Sequence, residues 1–283
     1  MKSLNECLNE GFKLGKNYKK PYNYHPKTKD ELEDIIKDLI GKRGNETDLN
    51  DIDTSEITDM SQLFQNSDFN GDISGWNVSN VVNMKRMFYV SEFTGKNGDI
   101  SNWDVSNVKD MESMFRGTKF TGKNGDISNW DVGSVTNMTY MFQNSRFNGD
   151  ISNWDVSSVD DMSFMFEHSD FNGDISGWDV HNVDDMTCMF RGSKFTGENG
   201  DLSKWDVSSV TNMTCMFNNS LFDGDISGWD VNNVNNMECM FSNSKFTGKN
   251  GDISQWKVNK KTNIRNMFKK SPLEGKEQVW FRK

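Results

Sequence analysis

Proline is almost missing from this chain, three among 283 residues, and no Ser/Pro-rich run is present to make a disordered linker. Histidine is equally scarce: His25, His168 and His181 share no repeat position and have no Cys or Glu at ligand spacing, which argues against a metal site or a catalytic triad built on them. Only four cysteines occur, three of them at one repeat position, so a disulfide framework is not expected and a reducing compartment is. No segment approaches the ~20 apolar residues of a membrane span, and residues 1–10 lack the apolar stretch of a secretory signal. The expected location is therefore cytoplasmic or virion-associated, with no signal peptide and no membrane anchor. No phosphate-binding glycine loop is present, and no cofactor is expected.

What is abundant is one sentence, written seven times and an eighth time with changes after its tryptophan: Gly-Asp-Ile/Leu-Ser-x-Trp-Asp/Asn-Val-x-x-Val-x-x-Met-x-x-Met-Phe. It brings in Trp76, Trp103, Trp130, Trp154, Trp178, Trp205, Trp229 and Trp256, at successive gaps of 27, 27, 24, 24, 27, 24 and 27 residues. A unit this short cannot bury its own apolar side chains, so such a period predicts stacking of unit on unit. The two gap lengths differ at a single place. Phe69-Asn70-Gly71-Asp72 is the short form, and Phe93-Thr94-Gly95-Lys96-Asn97-Gly98-Asp99 is the long one. The three added residues, recurring at Thr94, Thr121, Thr196 and Thr247, belong in an exposed turn along one edge. The core itself is unusual, because 17 Met, 20 Phe and 9 Trp fill places that Leu and Ile usually take.

Charge divides the chain. Residues 51–256 carry 31 acidic and 13 basic side chains, a net of −18, while residues 257–283 carry nine basic and two acidic, a net of +7. An acidic body argues against nucleic-acid binding along the repeats. Four regions follow: a polar leader over 1–27, a capping helix and linker over 28–50, the repeats over 51–270, and a basic cap over 271–283. Thr28-Lys29-Asp30-Glu31 forms a capping box, and Leu32, Ile35, Ile36, Leu39 and Ile40 follow as one helical stripe until Gly41 and Gly44 end it. Within a unit, Trp103 and Val105 alternate with Asp104 as in a short strand, whereas Val108, Met111, Met114 and Phe115 recur as in a helical turn.

Trp-Asp-Val-Ser-x-Val-x-x-Met-x-x-Met-Phe, together with Phe-Asn-Gly-Asp-Ile-Ser, resembles the repeat of BspA-like leucine-rich-repeat surface proteins, also found in mycoplasma lipoproteins and in bacteriophage and giant-virus reading frames. The resemblance covers about residues 50–270. It implies an α/β, right-handed, leucine-rich-repeat-like parallel solenoid of about nine coils, used for adhesion or protein interaction, with no catalytic residues to carry over.

Two polar columns are expected. Asp72, Asp99, Asp126, Asp150, Asp174, Asp201, Asp225 and Asp252 are equivalent, and a line of carboxylates suits either a calcium ladder or turns in which each Asp bonds its own backbone. No Asp-x-Asp-x-Asp loop is present, which favours the turns. Asn83, Asp110, Asn137, Asp161, Asp185, Asn212, Asn236 and Asn263 form a second column suited to satisfying backbone groups at a bend. Cys188, Cys215 and Cys239 share a position with Tyr140 and Phe164, which marks a half-buried packing site. An active site should interrupt such a pattern, and no interruption of the Asp column is seen.

The expected function is a non-enzymatic module that binds a protein or glycan surface through the variable pair after each Met and through the inserted loops. The alternative is a structural or capsid-associated component of a virus particle. Leu8-Asn9-Glu10 before Gly11 supports that alternative, since it is similar to the triplet after which short targeting leaders of some tailed-phage proteins are cleaved.

Overall fold

The computed structural model describes residues 22–281; the leader residues 1–21, with Cys7 and the Leu8-Asn9-Glu10 triplet, lie outside the described residues. Helix α1 spans Lys29–Arg43. It begins where the Thr28 hydroxyl accepts the Glu31 N–H, and it ends at Gly44, whose φ of 87° lets its N–H turn back onto the Ile40 carbonyl. The Glu31 carboxylate reaches the Lys27 N–H, one residue before the cap itself. Leu32, Ile36 and Leu39 are buried, while Ile35 and Ile40 are half-buried at the stripe's margin. Arg43 fixes the helix end to the first unit through Asp51, at 3.1 and 2.9 Å.

Successive repeat units lie against one another in parallel register. Isolated bridges run from Asp59 to Asn83, Asp110, Asn137, Asp161, Asp185, Asn212, Asn236 and Asn263, one step per unit. The short strand expected at 103–105 is not formed. Asp104 instead accepts the Ser106 N–H, and Val108 donates to the Val105 carbonyl, which closes a turn. Nor is the helical turn expected over 108–115 present. In its place are linked turns in which every second N–H leaves the unit: Met84, Arg86, Phe88 and Val90 donate to the carbonyls of Asp110, Glu112, Met114 and Arg116 in the next.

Left-handed backbone makes this alternation possible. Sixteen described non-glycine residues have φ between 50° and 64°, and they fall in two columns. One passes through Arg86, Ser113, Tyr140, Phe164, Cys188, Cys215 and Cys239; the other contains Asn66, Val90, Asn144, His168, Asn219 and Asn243. An L-residue in this region costs about 1–2 kcal/mol. Fourteen of them, all but Asn266 and Lys270 in the last unit, donate their N–H to the neighbouring unit, so the strain is offset by bonds that join the stack.

Inside, the apolar side chains form continuous columns. Phe64, Phe88, Phe115, Phe142, Phe166, Phe190, Phe217, Phe241 and Phe268 stack ring on ring, with centroids 5.6–5.8 Å apart. The eight tryptophans from Trp76 to Trp256 are 3–6 % exposed. Each indole N–H donates to a backbone carbonyl of the preceding unit, as from Trp154 to Ile127 at 2.9 Å and from Trp178 to Ile151 at 3.0 Å. That bond is why Trp can be buried without an orphaned donor. At the far end, helix α2 (Lys276–Phe281) brings Trp280 and Phe281 against Phe268. Trp280 meets Phe268 edge-on at 78° rather than continuing the tryptophan column. Among the described residues no helix is long and apolar enough to cross a membrane.

Candidate functional site: the turn face

The polar columns are corners of the units. In the first, Asp72, Asp99, Asp126, Asp150, Asp174, Asp201, Asp225 and Asp252 each accept the N–H of the Ser two residues on, at 2.8–2.9 Å. Asn83, Asp110 and their equivalents do the same at the next corner, with Asn212 also donating to Asp185 at 3.2 Å. A third column was not foreseen as a corner: Asp104, Asp131, Asp155, Asp179, Asp206 and Asp230 cap turns after the tryptophans. A fourth was missed altogether. Ser67, Ser91, Thr118, Ser145, Ser169, Ser193, Ser220 and Ser244 each accept the N–H of the following repeat Phe. The signal for it was a Ser or Thr fixed two residues before that Phe, just after an Asn or Gly in most units. Hydrogen bonds from Ser106 and Ser157 hold Asp104 and Asp155 below the usual carboxylate range, and those from the Ser152 and Ser203 backbones do so for Asp150 and Asp201. Among the described residues no group of three or more His, Cys, Asp or Glu is placed to hold a metal ion.

The inserted loops fold back rather than hang free. Thr94 and Thr196 donate N–H and hydroxyl to Asn70 and Asn172 in the preceding short unit, while Asn97 and Asn199 donate to those residues' carbonyls. Gly122, at φ 81°, passes so close to Gly149 that a β-carbon would lie 2.8 Å from its Cα. Long and short units together shape the edge. Between the Thr121 and Thr196 loops lies a trough of about 620 Å³ lined by Lys123, Arg146, Asn148, Asp170, Lys194 and Leu221. Beyond Thr196 a smaller hollow of about 350 Å³ is lined by Glu198, Asp201, Asp223 and Asp225.

The linked turns carry the greatest departure from uniformity. Their outward side chains run Arg86, Tyr89, Arg116, Tyr140, Phe164 across four units. The Arg116 guanidinium lies between two rings, 5.3 Å from Tyr89 and 5.1 Å from Tyr140. Tyr140 stacks on Phe164 at 4.6 Å and 9°. Arg86 sits 6.0 Å from Tyr89 and shares Glu112 with Lys85. All five are half-buried. Val90, 49 % exposed, adds apolar surface beside them. Several buried polar atoms on these turns have no protein partner: Gln65 Oε1, Arg86 Nε, Ser113 Oγ, Gln143 Oε1 and Thr187 Oγ1. Further along, Glu167 is buried and paired with Arg191 at 3.2 Å, and then come the three cysteines.

Among known proteins, no curated protein and no solved structure matches this chain. A family model described as "Mycoplasma protein of unknown function, DUF285" matches three times, over residues 34–123, 118–198 and 170–280. Those matches run from α1 through all the stacked units into α2, so the chain belongs to that repeat family.

Proposed function

We propose that this protein is a non-enzymatic interaction module, a right-handed, leucine-rich-repeat-like solenoid of the BspA-like type whose turn face docks on an acidic protein surface. One observation carries the reading: the Arg86–Tyr89–Arg116–Tyr140–Phe164 run is a basic and aromatic strip on a body whose net charge is −18. Arg and Tyr are the side chains most often found where binding energy concentrates, since each offers a large rigid surface with a polar edge. Lys85 and Arg86 share the carboxylate of Glu112, while the Arg116 guanidinium lies between the Tyr89 and Tyr140 rings, so three cations line this part of the strip. Such a cluster of cations steers an acidic partner toward it. The uniform Asp corners are read as turn caps, each carboxylate being engaged by its own turn. The particle-component alternative rests on Leu8-Asn9-Glu10, outside the described residues, and no feature of the stack favours it.

A photo-crosslinking amino acid in place of Tyr89, compared with one in place of exposed Lys204 on the tryptophan corner, tests the proposal. Adducts with a protein at the first site and none at the second are expected. Equal labelling at both, or adducts with glycan only, would overturn the choice of face or of partner.

A further inference from the structure

We propose that Cys215 is a peroxide-reactive thiol that closes a reversible disulfide with Cys188 across two adjacent units. The three cysteines occupy one left-handed column, at φ of 55°, 55° and 57°, so their Cα–Cβ bonds leave the backbone in the same direction. Neighbouring units are bonded at these residues: the Cys188 N–H donates to the Thr214 carbonyl at 2.9 Å, and the Cys215 N–H to the Glu238 carbonyl at 2.9 Å. Chains paired in this way lie roughly 4.8 Å apart, inside the ~4.4–6.8 Å Cα separation that a disulfide spans. The same column shows that its side chains touch across one step, since the Tyr140 and Phe164 rings stack at 4.6 Å. Free thiols aligned in one column on adjacent units, one of them half-buried, are an arrangement that packing alone does not call for.

The environment separates the three. Cys188 is 5 % exposed, whereas Cys215 and Cys239 are half-buried. The hydrogen bond from Cys188 brings the Cys215 thiol down to about 7, with help from the charge of Arg191. Cys188 moves up for the complementary reason, because it holds the shared proton and is buried. Cys239 is pushed up by burial first and then by the charge on Cys215. The other charged groups facing the column are Glu167, Glu238 and Arg265. A thiolate with a thiol against it is the pairing that reacts with a hydroperoxide. The Cys215 sulfur attacks the peroxide oxygen, the O–O bond breaks, and an alcohol or water leaves with a proton. The Cys188 sulfur then displaces hydroxide from the resulting sulfenic acid, and a water leaves. Two thiols give up two electrons and two protons, and the peroxide accepts both pairs.

Full-length reduced protein treated with hydrogen peroxide, then mapped as peptides, reads the outcome. A Cys188–Cys215 peptide lighter by two hydrogens is expected, restored by dithiothreitol. At pH 7 Cys215 should alkylate with iodoacetamide roughly tenfold faster than Cys239, its much larger thiolate fraction being partly offset by the weaker nucleophilicity of a more acidic thiol. C188S should abolish the link and leave a sulfenic acid on Cys215 that dimedone traps, and C239S should keep the link. Both variants are compatible with the fold, because Ser113 already stands in this column. Alkylation of Cys215 no faster than Cys239, no cross-link, or a Cys215–Cys239 link in its place would each overturn the proposal.

Discussion

Inside one Met-x-x-Met-Phe segment the inward and outward side chains follow different rules. Met84, Met87 and Phe88 recur as Met111, Met114 and Phe115 and onward to Met240 and Phe241, all fully buried. Between them, at the left-handed position, the chain runs through Arg86, Ser113, Tyr140, Phe164 and Cys188. The inward set must match its copies above and below, because every ring is a neighbour of the same ring one unit away. The other set is held by backbone bonds between units, so side chains as different as Arg86, Tyr140 and the covered Ser113 and Cys188 occupy it. Stability is thus concentrated on one side of a short segment and chemical individuality on the other.

The contrast breaks most visibly if a column is interrupted. Phe142→Ala empties a fully buried place between Phe115 and Phe166, and should lower unfolding free energy by about 3–5 kcal/mol in urea titration. A loss below about 1 kcal/mol would mean the rings are not a shared core. Trp154→Phe retains an apolar ring but strips the donor from the Ile127 carbonyl, and is expected to lower stability by about 1–3 kcal/mol. A neutral result would deny that the indole bond joins units.

On the outward side the expected effects reverse sign. Val90 is β-branched at φ 50°, where its equivalents Asn66, Asn144 and Asn219 suit left-handed backbone better. Val90→Asn should therefore stabilise by about 1 kcal/mol, visible as a rise of a few degrees in the thermal midpoint. A destabilised variant would show that Val90 packs rather than strains. The smallest effects per site belong to the corner carboxylates. Asp104, Asp150, Asp155, Asp201 and Asp206 are held below their ordinary range by the hydrogen bonds they accept. Their contribution is complete above the unfolded carboxylate value, about 3.9, and fades as pH falls through the lower folded values. Midpoints should stay level near pH 6 and decline toward pH 2, with Asp155→Asn removing its share of the slope. Midpoints that rise on acidification would instead mark repulsion along the carboxylate columns as dominant.

The period, the inward residues and α1 are legible because apolar side chains announce burial by recurring. Thr28 likewise marks a helix start by simple chemistry, although Glu31 reaches Lys27 instead of the cap. The linked turns were harder to read. Val108, Met111, Met114 and Phe115 have helical spacing, yet the residues between them are left-handed, which no helix accommodates. Tyr140, Phe164 and Cys188 conceal that conformation, since none is a residue that favours it. The clue lay four residues further on, where Asn66, Gly117, Asn144 and Gly192 do favour it. The strip of Arg and Tyr stayed hidden for a related reason: Arg86, Tyr89, Arg116 and Tyr140 belong to two different repeat positions, and only the folded turns place them in one line.

The most direct test of the division between scaffold and face is to alter the strip and read both properties at once. In Arg116→Ser/Tyr140→Ser, residues already present elsewhere in these columns or corners replace the sandwich. The account predicts a thermal midpoint within a few degrees of the parent and loss of the protein partner captured at Tyr89. A partner retained in full, or a stack that no longer melts cooperatively, would contradict it.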